Sequence, residues 1–145
     1  MNDSITAEFT AGLVSDLRTY LSLCEQILAL TMRENQALSG QADYQPVVFH
    51  QQRRSLLPHL ESVSNKLRQR RIVWQQAPVS ERAQCQETKP LFQIIQSLLM
   101  KMLLLDRENQ QAMLRRGLVP VQHLPAASVQ QPHFVASLYQ RNSGV

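Results

Sequence analysis

Four histidines, two cysteines and eleven acids are the raw material this chain offers for catalysis or metal binding. His50 and His59 are nine residues apart and would not share a helical face at ligand spacing. His123 and His133 fall in a separate C-terminal stretch. Cys24 and Cys85 stand alone, with no CxxC, no Cys/His cluster and no disulfide framework, so a reducing, cytoplasmic location is expected. No HExxH, GxSxG, phosphate-cradling glycine loop or paired-carboxylate motif occurs. A phosphotransfer histidine would usually have a Lys-Gly neighbour, which neither His50 nor His59 has. Cys24 falls on an apolar seam, where a thiol behaves as a small apolar side chain. The expectation is a protein without enzymatic chemistry, metal or cofactor.

The charged residues suggest binding instead. The net charge is +4, unevenly placed: residues 1–40 carry five acids and two bases, and residues 41–78 carry six bases and two acids. Arg53-Arg54, then Lys66, Arg68, Arg70 and Arg71 with Trp74 nearby, could neutralise phosphates. The same residues could equally be a solvated helix face beside an acidic first helix. No nucleic-acid motif accompanies them, so no nucleic-acid partner is expected. Alternating sign between neighbouring segments also helps helices choose partners.

The elements that must position these residues are helices. Apolar residues make up 43% and aromatics 6%, with only four glycines, which favours an aliphatic helical core over a turn-rich sandwich. Nineteen glutamines, good helix formers, point the same way. Residues 4–39 carry a three-four seam at Val14, Leu17, Leu21, Cys24, Leu28, Thr31, Asn35 and Leu38, widened by Leu13, Tyr20 and Ile27. A helix of that length would be about 50 Å long, which calls for an elongated bundle. Gly40 supplies a stop and Gln41 to Pro46 a connector.

A second helix is expected over 47–76, with its seam at Phe49, Arg53, Leu56, Leu60, Val63, Leu67, Arg70 and Trp74. Pro58 should kink it or mark a new start capped by Ser55. A third is expected over 80–116, opening at Ser80 and either kinking at Pro90 or restarting near it. Leu91, Ile95, Leu98, Met102, Leu105, Asn109 and Ala112 form its seam, and Arg115-Arg116-Gly117 its end. The fold class is therefore all-α: an elongated antiparallel bundle or coiled coil of three long helices over 1–117, then a flexible tail over 118–145.

Two surpluses stand out. Ile94 to Leu105 has nine apolar residues in twelve, more than one packing stripe, so this helix is either central or partly an exposed groove. Lys101 interrupts that run, which is also too short for a membrane span, so no membrane insertion is expected. The acidic start, without an apolar secretory core, gives no sign of a signal peptide. The tail holds three prolines, yet keeps Leu124, Phe134, Val135, Leu138 and Tyr139 as apolar anchors for the bundle or for a partner. One echo is visible: Arg33-Glu34-Asn35-Gln36 near the end of helix one resembles Arg107-Glu108-Asn109-Gln110 in helix three, each placing Asn on the seam.

Gln52-Arg-Arg-Ser-Leu-Leu-Pro-His-Leu60, Arg107-Glu-Asn-Gln-Gln-Ala-Met-Leu114 and Leu138-Tyr139 with the late Gly144 give the chain a likeness to one family. It resembles the FlgN family of flagellar type III export chaperones, departing from the common Tyr-Gly-x-x-Gly tail by Gln140 and one extra residue. The resemblance implies a cytoplasmic, ATP-independent chaperone. Such a protein holds the C-terminal helical region of hook–filament junction (hook-associated) proteins and delivers them to the export gate. Together with the apolar surplus of helix three, it points to Leu98, Leu99, Met102, Leu105, Asn109 and Met113 as the client-binding residues, with Met113 off the seam. Leu138 and Tyr139 would dock the export gate. The alternative is a structural coiled-coil adaptor that buries the same seams by self-association, and a homo-oligomer is compatible with both.

Overall fold

The computed structural model describes residues 5–40 and 43–118, and among them every regular element is a helix. The order is α1 (Ala7–Ser39), α2 (Pro46–Gln76), the single-turn α3 (Val79–Ala83) and α4 (Thr88–Arg115). The expected third helix is thus two pieces. Arg82 to Thr88 turns through Cys85, whose amide bonds to the Arg82 carbonyl and whose carbonyl accepts from the Thr88 amide and hydroxyl. Pro90 lies in the first turn of α4, where its missing N–H deprives the helix of nothing. Ser80 is not the cap: Pro78 holds that position and Ser80 is inside α3. Pro58 neither breaks α2 nor starts a new helix, because α2 runs unbroken from Pro46 to Gln76. The proline removes only its own bond to the Arg54 carbonyl, and the bonds of the neighbouring turns carry the helix past it.

Side-chain contacts set the directions. Arg18 near the start of α1 pairs with Glu87 before α4, while Asn35 near its end bonds to Asn109, so α1 and α4 run parallel. Asp16 pairs with Arg70 and Glu34 with Arg53, so α2 runs antiparallel to α1. The result is an up-down-up three-helix bundle, with α1 packed closely on both long neighbours.

Most of the α2 seam lies on the core: Arg53, Leu60, Val63, Leu67 and Trp74 are buried, with Trp74 edge-on to Phe92 of α4 at 6.0 Å between ring centres, while Phe49, Leu56 and Arg70 are half-buried at its edge. On α1 the deepest line is Leu13, Leu17, Tyr20, Cys24, Ile27, Thr31, Glu34 and Leu38. Leu21, Leu28 and Asn35, expected at its centre, are only half-buried at its edge. The core stripe is therefore turned by about a residue toward α2.

The ends are built from specific groups. Thr6 accepts from the Phe9 amide and opens α1. Gly117, at φ +75°, closes α4 with the paired bonds of a Schellman ending, Leu118 N–H to Met113 C=O and Gly117 N–H to Leu114 C=O. Arg116 serves α1 rather than its own helix: its guanidinium donates to the carbonyls of Leu38 and Gly40, giving α1 the C-terminal cation its own last turn lacks. Gly12 leaves room for the Arg70 guanidinium, which a Cβ would meet at 2.5 Å, to lie across α1 toward Asp16 and over Phe9.

Candidate functional site

Two features differ from ordinary bundle packing: a buried polar layer and an apolar strip facing solvent. The layer crosses all three long helices near the end where α1 finishes. Arg53 is 1% exposed and donates to Glu34 Oε1 at 2.8 Å and to Thr31 Oγ1 at 3.1 Å. Asn109 donates to the Thr31 carbonyl at 3.1 Å and accepts from Asn35 at 2.9 Å, so the two asparagines of the sequence echo meet each other. Tyr44, in the α1–α2 connector, donates its hydroxyl to the other Glu34 oxygen. Burial, then the bond to Glu34, pushes the Tyr44 hydroxyl well above its ordinary range.

Asp106 completes the layer with one oxygen accepting from Gln110 at 2.8 Å and the other, buried, with no hydrogen-bond partner. Burial raises its pKa, Arg53 opposes that shift and Glu34 adds to it. An acid whose folded pKa lies above its unfolded value takes up a proton on folding. Its contribution is intact below the unfolded carboxylate pKa and is lost as pH rises through the folded one. Asp106→Asn should therefore melt a few degrees higher than the parent at pH 7, the effect of about 1 kcal/mol in a chain of this size. The two should converge near pH 4, which parallel thermal melts would show.

The apolar strip lies on the solvent side of the joint between α1 and α4. At about 100° per residue, Leu91, Ile94, Leu98, Leu105 and Ala112 share one line along α4, just outside the Asn109 contact with α1. Leu21 and Leu28 line the facing edge of α1, and Met32 stands beside them. Leu21, Leu28, Leu91 and Leu98 are half-buried against the core, whereas Ile94 and Met32 are 48% and 50% exposed. At the head of this joint, an open cleft of about 820 Å³ lies between Ala7, Ala11 and Ser15 of α1 and the α3–α4 turn, rimmed by Arg18, Glu81 and Glu87.

The client residues expected from sequence divide between these features. Leu98 and Leu105 lie on the strip, half-buried. Leu99, Met102, Asn109 and Met113 are inside the bundle. Met113, expected off the seam, is on it at 1% exposure and lies 3.8 Å from the Tyr44 hydroxyl. Leu138 and Tyr139 lie outside the described residues. The phosphate-patch reading loses its central members, since Arg53 and Trp74 are buried and Arg70 is paired with Asp16. Glu34, Thr31 and Asp106 escaped sequence reasoning as a site. The one available signal was their matching three-four register with buried apolar neighbours.

Little here is reactive. Burial, then the neighbouring Glu25 charge, pushes the Cys24 thiol up to about 12, which suits packing rather than nucleophilic attack. Among the described residues no group of His, Cys, Asp and Glu could hold a metal ion, and no helix is long and apolar enough to cross a membrane. Comparison with protein-family models, with curated proteins and with solved structures finds no match for this chain.

Proposed function

We propose that this chain is a cytoplasmic, ATP-independent flagellar export chaperone that holds the C-terminal helical region of hook–filament junction proteins and presents it to the type III export gate. The resemblance of residues 52–60 and 107–114 to the FlgN family suggests the client class. The observation that carries the reading is the solvent-facing apolar strip of α1 and α4, where Leu21, Leu28, Leu91 and Leu98 are only partly covered by the bundle and Ile94 and Met32 are exposed. An amphipathic helix laid there would become a fourth member of the bundle, the helix-in-groove mode of recognition. Small side chains at Ala7, Ala11 and Ser15 let an incoming backbone come close at the head of the joint.

In this reading the client contacts are Ile94, Leu98 and Leu105 of α4 with Leu21, Leu28 and Met32 of α1. Leu99, Met102, Asn109 and Met113 hold the helix in place from inside. Docking to the gate through Leu138 and Tyr139 rests on the sequence resemblance. The test uses exposed positions, so that the fold is spared. Ile94→Glu and Met32→Glu should each leave the circular dichroism spectrum unchanged and weaken capture of a purified hook–filament junction C-terminal segment by about tenfold or more, the loss of roughly one buried aliphatic side chain. Wild-type affinity in both variants would remove the client from this face.

A further inference from the structure

We propose that the exposed α4 line is self-complementary, and that a second copy of this chain docks on it antiparallel, about a two-fold axis near Leu105. The line runs Leu91, Ile94, Leu98, Lys101, Leu105, Glu108 and Ala112, in steps of three and four throughout. That is a seven-residue seam like the one α4 buries, but here every member is half-buried or exposed within one bundle. Contiguous apolar surface of this kind on a soluble helix marks an interaction face.

The two charges choose the occupant and its direction. Lys101 and Glu108 interrupt the line with opposite signs, and neither has a hydrogen bond or ion pair among the described residues. Seven residues apart, they are separated by about 10 Å of helix rise, too far to neutralise one another. A parallel copy would set lysine against lysine and glutamate against glutamate. An antiparallel copy does the reverse. Lys101 precedes Leu105 by four residues and Glu108 follows it by three, so a two-fold axis there brings each lysine within a turn of the partner's glutamate, twice over. Leu105 meets its own counterpart between these pairs, and Leu98 meets Ala112 of the second copy just outside them, with Leu28 and Met32 of α1 alongside. The same face would then be closed to a client helix while the dimer persists, but the measurement below contains no client and stands apart from that reading.

The experiment is sedimentation equilibrium of the full chain from nanomolar to high micromolar concentration, on the parent, Lys101→Glu and Glu108→Lys. Both substitutions are on exposed side chains, and circular dichroism checks that each variant folds. The parent should dimerise. Each single variant should dissociate about tenfold more readily, because two facing pairs turn from attraction to repulsion. An equimolar mixture of the two variants should regain the parent's affinity as a heterodimer, since every facing pair again has opposite charges. A parent that stays monomeric throughout overturns the proposal. So does a dimer whose affinity ignores the charge changes, or a mixture no tighter than the single variants.

Discussion

Glu34→Ala should destabilise the bundle by about 3–5 kcal/mol, a large part of the roughly 5–15 kcal/mol that a folded domain has to lose. The side chain is fully buried and serves three partners at once: Arg53, the Tyr44 hydroxyl and, at 3.5 Å, Asn109. Its removal leaves the Arg53 guanidinium inside the bundle with Thr31 as its remaining hydrogen-bond acceptor. Two further Arg53 nitrogens already lack hydrogen-bond acceptors, and the unpartnered Asp106 oxygen does not reach them, so nothing in the packed layer takes over from the lost carboxylate without moving. Replacing both members, Glu34→Leu with Arg53→Met, removes the stranded charge and should cost far less than either truncation alone. Urea melts followed by the emission of Trp74, the chain's one tryptophan, give the comparison. If the double variant loses the sum of two single truncations, Arg53 and Glu34 are not coupled and the layer is not held by this pair.

Such a layer explains where sequence reading reached its limit. Periodicity found all three long helices, because apolar side chains every three or four residues must share a face whatever the partner. It placed Leu60, Val63, Leu67 and Trp74 of α2 on the core. It could not tell how far each stripe is turned. Leu21 and Leu28 fit the α1 seam as well as Tyr20 and Ile27 do, and only the position of α2 buries one set more deeply than the other. The same ambiguity mixed Met102 and Met113, which α1 and the connector cover, with Leu98 and Leu105 of the strip in one expected client set. Glu34 and Asp106 were unreadable as core for a different reason. A lone acid in a helical register looks solvated until its base is found, and Arg53 comes from another helix. The break before α4 was half legible, since Pro90 announced a possible restart while nothing local marked the turn at Cys85.

Trp74→Ala should be the other severe change, again about 3–5 kcal/mol, through a cavity rather than a charge. Trp74 is fully buried near the end of α2, and its ring meets Phe92 one turn into α4. These two helices approach each other less closely than either approaches α1, so large side chains must bridge the gap between them. Alanine would leave Phe92 facing a void that the long helices cannot close without leaving their contacts with α1. Trp74→Phe separates shape from polarity. It keeps most of the ring and removes an indole N–H that is buried with no hydrogen-bond partner, so the lost volume and the relieved donor offset each other. Its cost should stay below about 1.5 kcal/mol. Circular dichroism melts suit both variants, since neither retains the tryptophan. A mild Trp74→Ala would mean that α2 and α4 settle against each other without this bridge. A Trp74→Phe as damaging as alanine would mean that the indole N–H is held by a partner such as an internal water.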